Sequence, residues 1–172
     1  FYFAITIPSS SFLSLKPYFQ LEGMAYRVLP VQKPSPGRGA EVINRDRMYD
    51  ILMNTYKFRN LDNPDVFFDS NIRRMVGNFR FNYIRLATDY LDVIEDKESE
   101  IAFLAAQPDA DEALAAAKAE LQETKTRAKA LIDHVQAQIT DEAVRTDPYY
   151  LTQYARIETV AGAPEKGLAL AA

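Results

Sequence analysis

Arg73, Arg74, Arg80 and Arg85 are interleaved with Asn71, Asn78 and Asn82 along one short stretch. At three-four helical spacing, Arg74, Asn78, Asn82 and Arg85 share a face. Guanidinium forks beside carboxamides could hydrogen-bond a sugar, a phosphate or a peptide backbone. The plainer reading is a solvated face, or bonds that tie down the 60–69 loop through Asp62, Asp65 and Asp69. Tyr26 and Arg27, close behind Gly23, pose the same choice. They could stack on and bind a ligand, or the ring could pack on helices while the guanidinium meets a carboxylate. Tyr26, Arg27, Arg74, Asn78, Asn82 and Arg85 are therefore the candidate ligand or partner surface.

Other chemistry is hard to build. There is no cysteine, hence no thiolate nucleophile and no Cys-ligated metal. The single histidine, His134, has neighbours Asp133 and Gln138 but no second histidine for a metal site or triad. The run Asp62-Asn63-Pro64-Asp65 lacks the alternation and closing Glu of a calcium loop, and reads as a turn. Glu95, Asp96, Glu98 and Glu100 read as a charged, solvent-facing helix end. Ser9–Ser11 lack a nucleophile-elbow context and suit helix capping. No nucleophile–base pair emerges, so no catalytic residue, cofactor or metal is assigned.

The 172 residues carry 20 Lys plus Arg against 24 Asp plus Glu, a formal net charge of -4. That balance argues against a nucleic-acid partner, since a phosphate-binding surface concentrates basic residues. Hydrophobic residues at 48% and charged residues at 26% are globular values that speak against wholesale disorder. No stretch of about 18 apolar residues exists to span a bilayer. The opening Phe1-Tyr2-Phe3-Ala4-Ile5-Thr6-Ile7 has no initiator Met and no basic n-region. It reads as the start of a piece cut from a longer protein, or of a processed form.

The elements that must position these residues follow from periodicity. Residues 1–7 and Met24–Val31 read as two strands of a small sheet. Phe12–Gln20 between them reads as a short helix or turn limited by Pro17. Residues 33–45, with two Pro and two Gly, read as a flexible loop. A helix follows over Asp46–Lys57. The strongest helix runs from about Ser70 to Ile94, with apolar residues from Ile72 to Ile94 in one stripe. Gly77 inside it implies close approach by a neighbour. A short helix is expected over Asp96–Gln107, then a long alanine-rich one over Asp109–Thr140. A cap at Asp147 with Pro148, and a turn at Ala161–Ala163, predict a final pair of helices. The fold class is mainly α, with tetratricopeptide-like helical hairpins and a small two-stranded β element near the N-terminus. The expected division is a β/loop element over 1–45 and a helical domain over 46–172, one compact unit overall.

Two resemblances sharpen this. Tyr150–Ala172 (YLTQYARIETVAGAPEKGLALAA) resembles one tetratricopeptide unit through Tyr154, Ala155, the Ala-Gly turn and the Glu-Lys start of the second helix. Asn82–Ala105 resembles a looser copy with a charged turn; the alternative is an ordinary helical hairpin. Residues 1 to about 95, by the order FYFAITIP, YFQLEGMAYRVLPV, MYDILMNTYKFRNLDNPDVFFD and NIRRMVGNFRFNYIRLA, resemble the soluble C-terminal region of a bacterial multi-pass membrane family. That family, long catalogued as of unknown function, is similar to protein O-mannosyltransferase-type glycosyltransferases. Residues 96–145 depart from its pattern.

The resemblance implies a division of labour. Transferases of that type hold their catalytic acid on a loop between membrane helices, and no residue of this chain matches it. The implied role is a non-catalytic accessory domain on the periplasmic side of the inner membrane, attached through upstream helices. Its implied partner is a protein or acceptor polypeptide. A carbohydrate- or lipid-linked-sugar-binding module is the alternative, and a purely structural or dimerising cap is a third reading.

Overall fold

The structure, a computed structural model, describes residues 1–32 and 42–171. The chain divides into two compact units, Phe1–Lys57 and Phe58–Ala172. The first holds a three-stranded antiparallel sheet and a short helix, and the second is helical. The fold is thus mainly α with a small sheet near the N-terminus, as the periodicity predicts.

The sheet has one more strand than expected. β1 (Tyr2–Ala4), β2 (Phe19–Glu22) and β3 (Ala25–Val28) lie in the order β1-β3-β2. Phe19–Gln20, expected in a helix or turn, open β2 instead. The physical reason is a two-residue hairpin. Gly23 takes φ 64° at the first turn position, which the tight turn Gly23-Met24 requires. A side chain at Gly23 would also meet the Tyr56 hydroxyl at 2.6 Å. Leu21 forms a further parallel bridge to Ile43, with its N–H donating to Val42 O and its carbonyl accepting from Asn44 N.

Alternation sorts the side chains of this sheet. Phe3, Phe19 and Tyr26 share the face against which Phe12 packs edge-on, with ring centroids between 5.0 and 6.2 Å. Ser9–Phe12 form a single 3-10 turn, so Ser9–Ser11 lie within it and no side chain caps it. α1 (Arg45–Asp50) starts where the Asn44 side chain accepts from Arg47 N, and one turn of π-helix, Ile51–Thr55, extends it. The Tyr56 hydroxyl accepts from Met24 N at 2.8 Å and so ties the hairpin to the end of that helix. Most of the expected loop, residues 33–41, lies outside the described residues.

The second unit is built on two long helices. α2 (Ser70–Leu104) is capped by Asp69, whose carboxylate accepts from Ile72 N at 2.8 Å. Its 35 residues make a rod of roughly 50 Å. The expected break near Ile94 is absent. Glu95–Glu100 contains no Gly or Pro, and Glu and Lys are good helix formers, so the helix runs through. The looser hairpin copy read at Asn82–Ala105 is therefore continuous helix, and its charged turn is a charged face. α3 (Asp111–Gln138) begins two residues later than expected, because Asp109 stands in the left-handed region at φ 69°. Asp111 and Glu112 then occupy its first turn, where acidic residues favour the helix dipole.

α2 and α3 pack antiparallel. Tyr83 stacks on His134 near one end, and Lys125 pairs with Glu98 at 2.7 Å towards the other. Lys97 bridges Glu120 and Glu100, and these two carboxylates push its pKa up to about 12. α4 (Pro148–Val160) packs on both rods, and Tyr150 fills the space over Gly77, so the glycine does admit a close neighbour. Asp147 caps α4, and α5 (Pro164–Ala171) folds back on it through the Ala161–Ala163 turn. Tyr83, Leu86, Leu131, Ile132, Val135, Tyr154 and Ile157 form the buried centre.

Candidate functional site

The six sequence-derived residues divide between the two units, Tyr26 and Arg27 in the first and Arg74, Asn78, Asn82 and Arg85 in the second. Tyr26 and Arg27 are consecutive in β3 and so point to opposite faces of the sheet. Tyr26 stacks on Phe19 at 5.3 Å with an interplanar angle of 16°, inside the aromatic cluster. Arg27 is exposed and pairs with the buried Glu22 carboxylate at 3.5 Å, and Asn44 Nδ2 donates to the same oxygen at 3.3 Å. The Arg27 guanidinium thus meets a carboxylate, while the Tyr26 ring packs within the sheet's aromatic cluster rather than on helices.

The α2 stripe changes character along its length. Arg74 is exposed, Asn78 is half-buried and Asn82 is fully enclosed at 0% exposure. Arg85 donates from Nη1 to Asn82 Oδ1 at 3.4 Å and sits over the Phe81 ring at 5.4 Å. Asn82 belongs to the interior and is removed from the candidate surface. A three-four row fixes a direction about the helix axis, but not how deep each residue of the row lies. The 60–69 turn is held by its own atoms, with Asn63 Oδ1 accepting from Asp65 N at 3.0 Å, and by Thr140 N, which donates to Leu61 O at 3.2 Å.

Two polar constellations emerge that spacing alone did not single out. Arg80 is buried, and its guanidinium donates to four carbonyls just beyond α3: Ile139 at 3.1 Å, Thr140 at 3.5 Å, Val144 at 2.6 Å and Arg145 at 3.3 Å. It gathers carbonyls of the segment that follows the end of α3. Burial pulls the Arg80 pKa down, while nearby Tyr154, Asp141 and Tyr150 oppose that shift. Burial in turn raises the Tyr154 phenol. The clue in the sequence is that Arg80 falls in the apolar row Val76, Tyr83, Ala87.

The second constellation joins α3, α4 and α5. Glu158 is enclosed at 0% exposure, and Lys166 Nζ lies 2.8 Å from its Oε1. Lys166 also pairs with Asp133, which pairs in turn with Lys129. Partial burial works against the Asp133 charge, but hydrogen bonds from Lys129 and Lys166 outweigh it and lower the pKa. Burial likewise opposes the Lys166 charge, yet its contacts with Asp133 and Glu158 raise the pKa. Glu158 stands in the row Leu151, Tyr154, Ala155, again a charge at a core position.

These groups are arranged as structural ties. His134 lies half-buried against Tyr83. Among the described residues there is no cluster of three or more His, Asp or Glu side chains able to hold a metal ion. No described helix is long and apolar enough to cross a membrane. Comparison of the chain with known protein families, curated proteins and solved structures finds no match.

Proposed function

We propose that this chain is a non-catalytic accessory domain that holds a protein or acceptor polypeptide. In this reading it belongs to a membrane-bound glycosyltransferase-like protein and works on the periplasmic side. The parentage rests on the resemblance of residues 1 to about 95, and the tetratricopeptide-like character on the α4–α5 hairpin with its Ala-Gly turn.

The observation that carries the binding role is a run of uncovered apolar side chains where α2 begins. Phe67 is 82% exposed and Met75 60%, with exposed Ile72 one helical turn from Met75 and Arg74 beside it. Large apolar side chains grouped on one short stretch are a feature of protein-binding surfaces. Arg and aromatic residues are the side chains such interfaces favour.

A photo-crosslinking residue placed at Met75 in the native host tests this. Capture of a discrete polypeptide at Met75, but not at Lys118 on exposed α3, is the expected result. Equal labelling at both positions, or none, would sink the binding role. The full reading frame tests the parentage separately. A run of apolar helices upstream of Phe1 is expected, and a start codon directly before it would remove the membrane parent.

A further inference from the structure

Residues 70–75, which open α2, are all exposed. Ile72 and Met75 share one side of this stretch, about 60° apart around the axis. Arg73 lies roughly 100° beyond Ile72, and Arg74 roughly 100° beyond Met75 in the opposite direction. The uncovered apolar pair is thus flanked by a cation on either side. Among the described residues, neither guanidinium makes a hydrogen bond or ion pair. Asp62, Asp65 and Asp69 stand in the turn ahead of α2, yet neither arginine pairs with them. The Asp69 carboxylate accepts from Ile72 N instead.

Asn78 lies half-buried one turn further along, in a direction between Arg74 and Met75. Its carboxamide is likewise without a hydrogen bond among the described residues. A carboxamide offers both a donor and an acceptor, which suits a peptide main chain. Guanidinium forks match carboxylates in pairs of parallel bonds. The positive pole of α2 lies at the same end and favours negative charge. A bare phosphate would answer the arginines but leave Phe67, Ile72 and Met75 uncovered. An incoming segment with carboxylates beside apolar side chains answers both, and a basic segment would be repelled.

We propose that the start of α2 selects acidic polypeptide segments. Apolar side chains of the segment cover Ile72 and Met75, and its carboxylates meet Arg73 and Arg74. This inference rests on the binding role proposed above and names the chemistry of the partner.

Photo-crosslinking at Met75 in the native host, followed by mass-spectrometric sequencing of the captured peptide, tests it. The captured stretch should carry Asp or Glu close to apolar residues. The double variant Arg73→Glu with Arg74→Glu should lower capture roughly 10-fold. Glutamate near a helix start suits the dipole, so the helical spectrum should be kept. Arg73→Lys with Arg74→Lys should retain far more capture than the glutamate pair. Equal capture in the two double variants would overturn the inference while leaving the binding role. So would a captured stretch that lacks carboxylates, or one from a second copy of this chain. No captured polypeptide in the unaltered protein would sink both.

Discussion

Arg80 shows what one buried cation does in this protein. Its four carbonyl partners lie across the segment that links α3 to α4, so one guanidinium fixes where one helix stops and the next can begin. Truncation would remove the donor these carbonyls share in an enclosed site, although Thr140 O keeps the Val144 N–H at 3.0 Å. Arg80→Ala should therefore cost about 3 kcal/mol, read as a fall in the urea midpoint. Asp141 supports the same link from outside. Thr146 N donates to its carboxylate at 2.6 Å, and this bond first, with Arg80 and Arg145 nearby, holds its pKa below the ordinary 3.8. Asp133 is lowered too. Depressed folded values mean that the unfolded chain binds more protons in acid. The stability from these carboxylates is whole above about pH 5 and drains away as pH falls through the folded values. Asp141→Asn should flatten the acid limb of a stability–pH curve while leaving its shape above neutrality unchanged.

Among the elements, α2 carries the sharpest consequence. A helix that continues through Glu95–Glu100 and a turn at the same place respond oppositely to proline. Within the continuous helix, Glu98→Pro removes an intrahelical hydrogen bond and clashes with the preceding turn, for about 3 kcal/mol. A turn would tolerate it with little change. A large drop in thermal midpoint with reduced helical circular dichroism is the expected outcome. The ion pairs of Glu98 with Lys125 and of Lys97 with Glu120 align the two rods along this stretch. Exposed pairs of this kind add little to stability but do favour one register over its neighbours.

At the scale of the molecule, the two units rest on different physics. Phe1–Lys57 is held by a small sheet with an aromatic cluster, and Phe58–Ala172 by an antiparallel pair of rods completed by α4 and α5. The second has its own enclosed core from Tyr83 to Ile157. Residues 58–172 expressed alone should keep a helical spectrum and unfold in one cooperative step, as domains of this size do. A broad, non-cooperative melt of that fragment would show that its core needs the first unit.

Much of this architecture is local and so was written in the chain itself. Apolar periodicity, the caps Asp69 and Asp147, and the Ala-Gly turn are short-range signals, and they located α3, α4 and the starts of α2 and α5 to within a few residues, whereas α2 runs ten residues past the expected end at Ile94. Even β2 carried one, in the alternation of Phe19-Gln20-Leu21-Glu22 ahead of Gly23, although Pro17 drew the reading towards a turn. Spacing could not reveal how deep a face would lie. Arg74 and Asn82 fall on the same side of a helical wheel, roughly 80° apart, yet one meets solvent and the other is enclosed, because cover depends on tertiary packing. The same holds for Arg80 and Glu158. A charge in an apolar row is tolerable only if distant residues supply carbonyls or a cation, and those partners, 59 or more positions away for Arg80, meet only once the helices have packed.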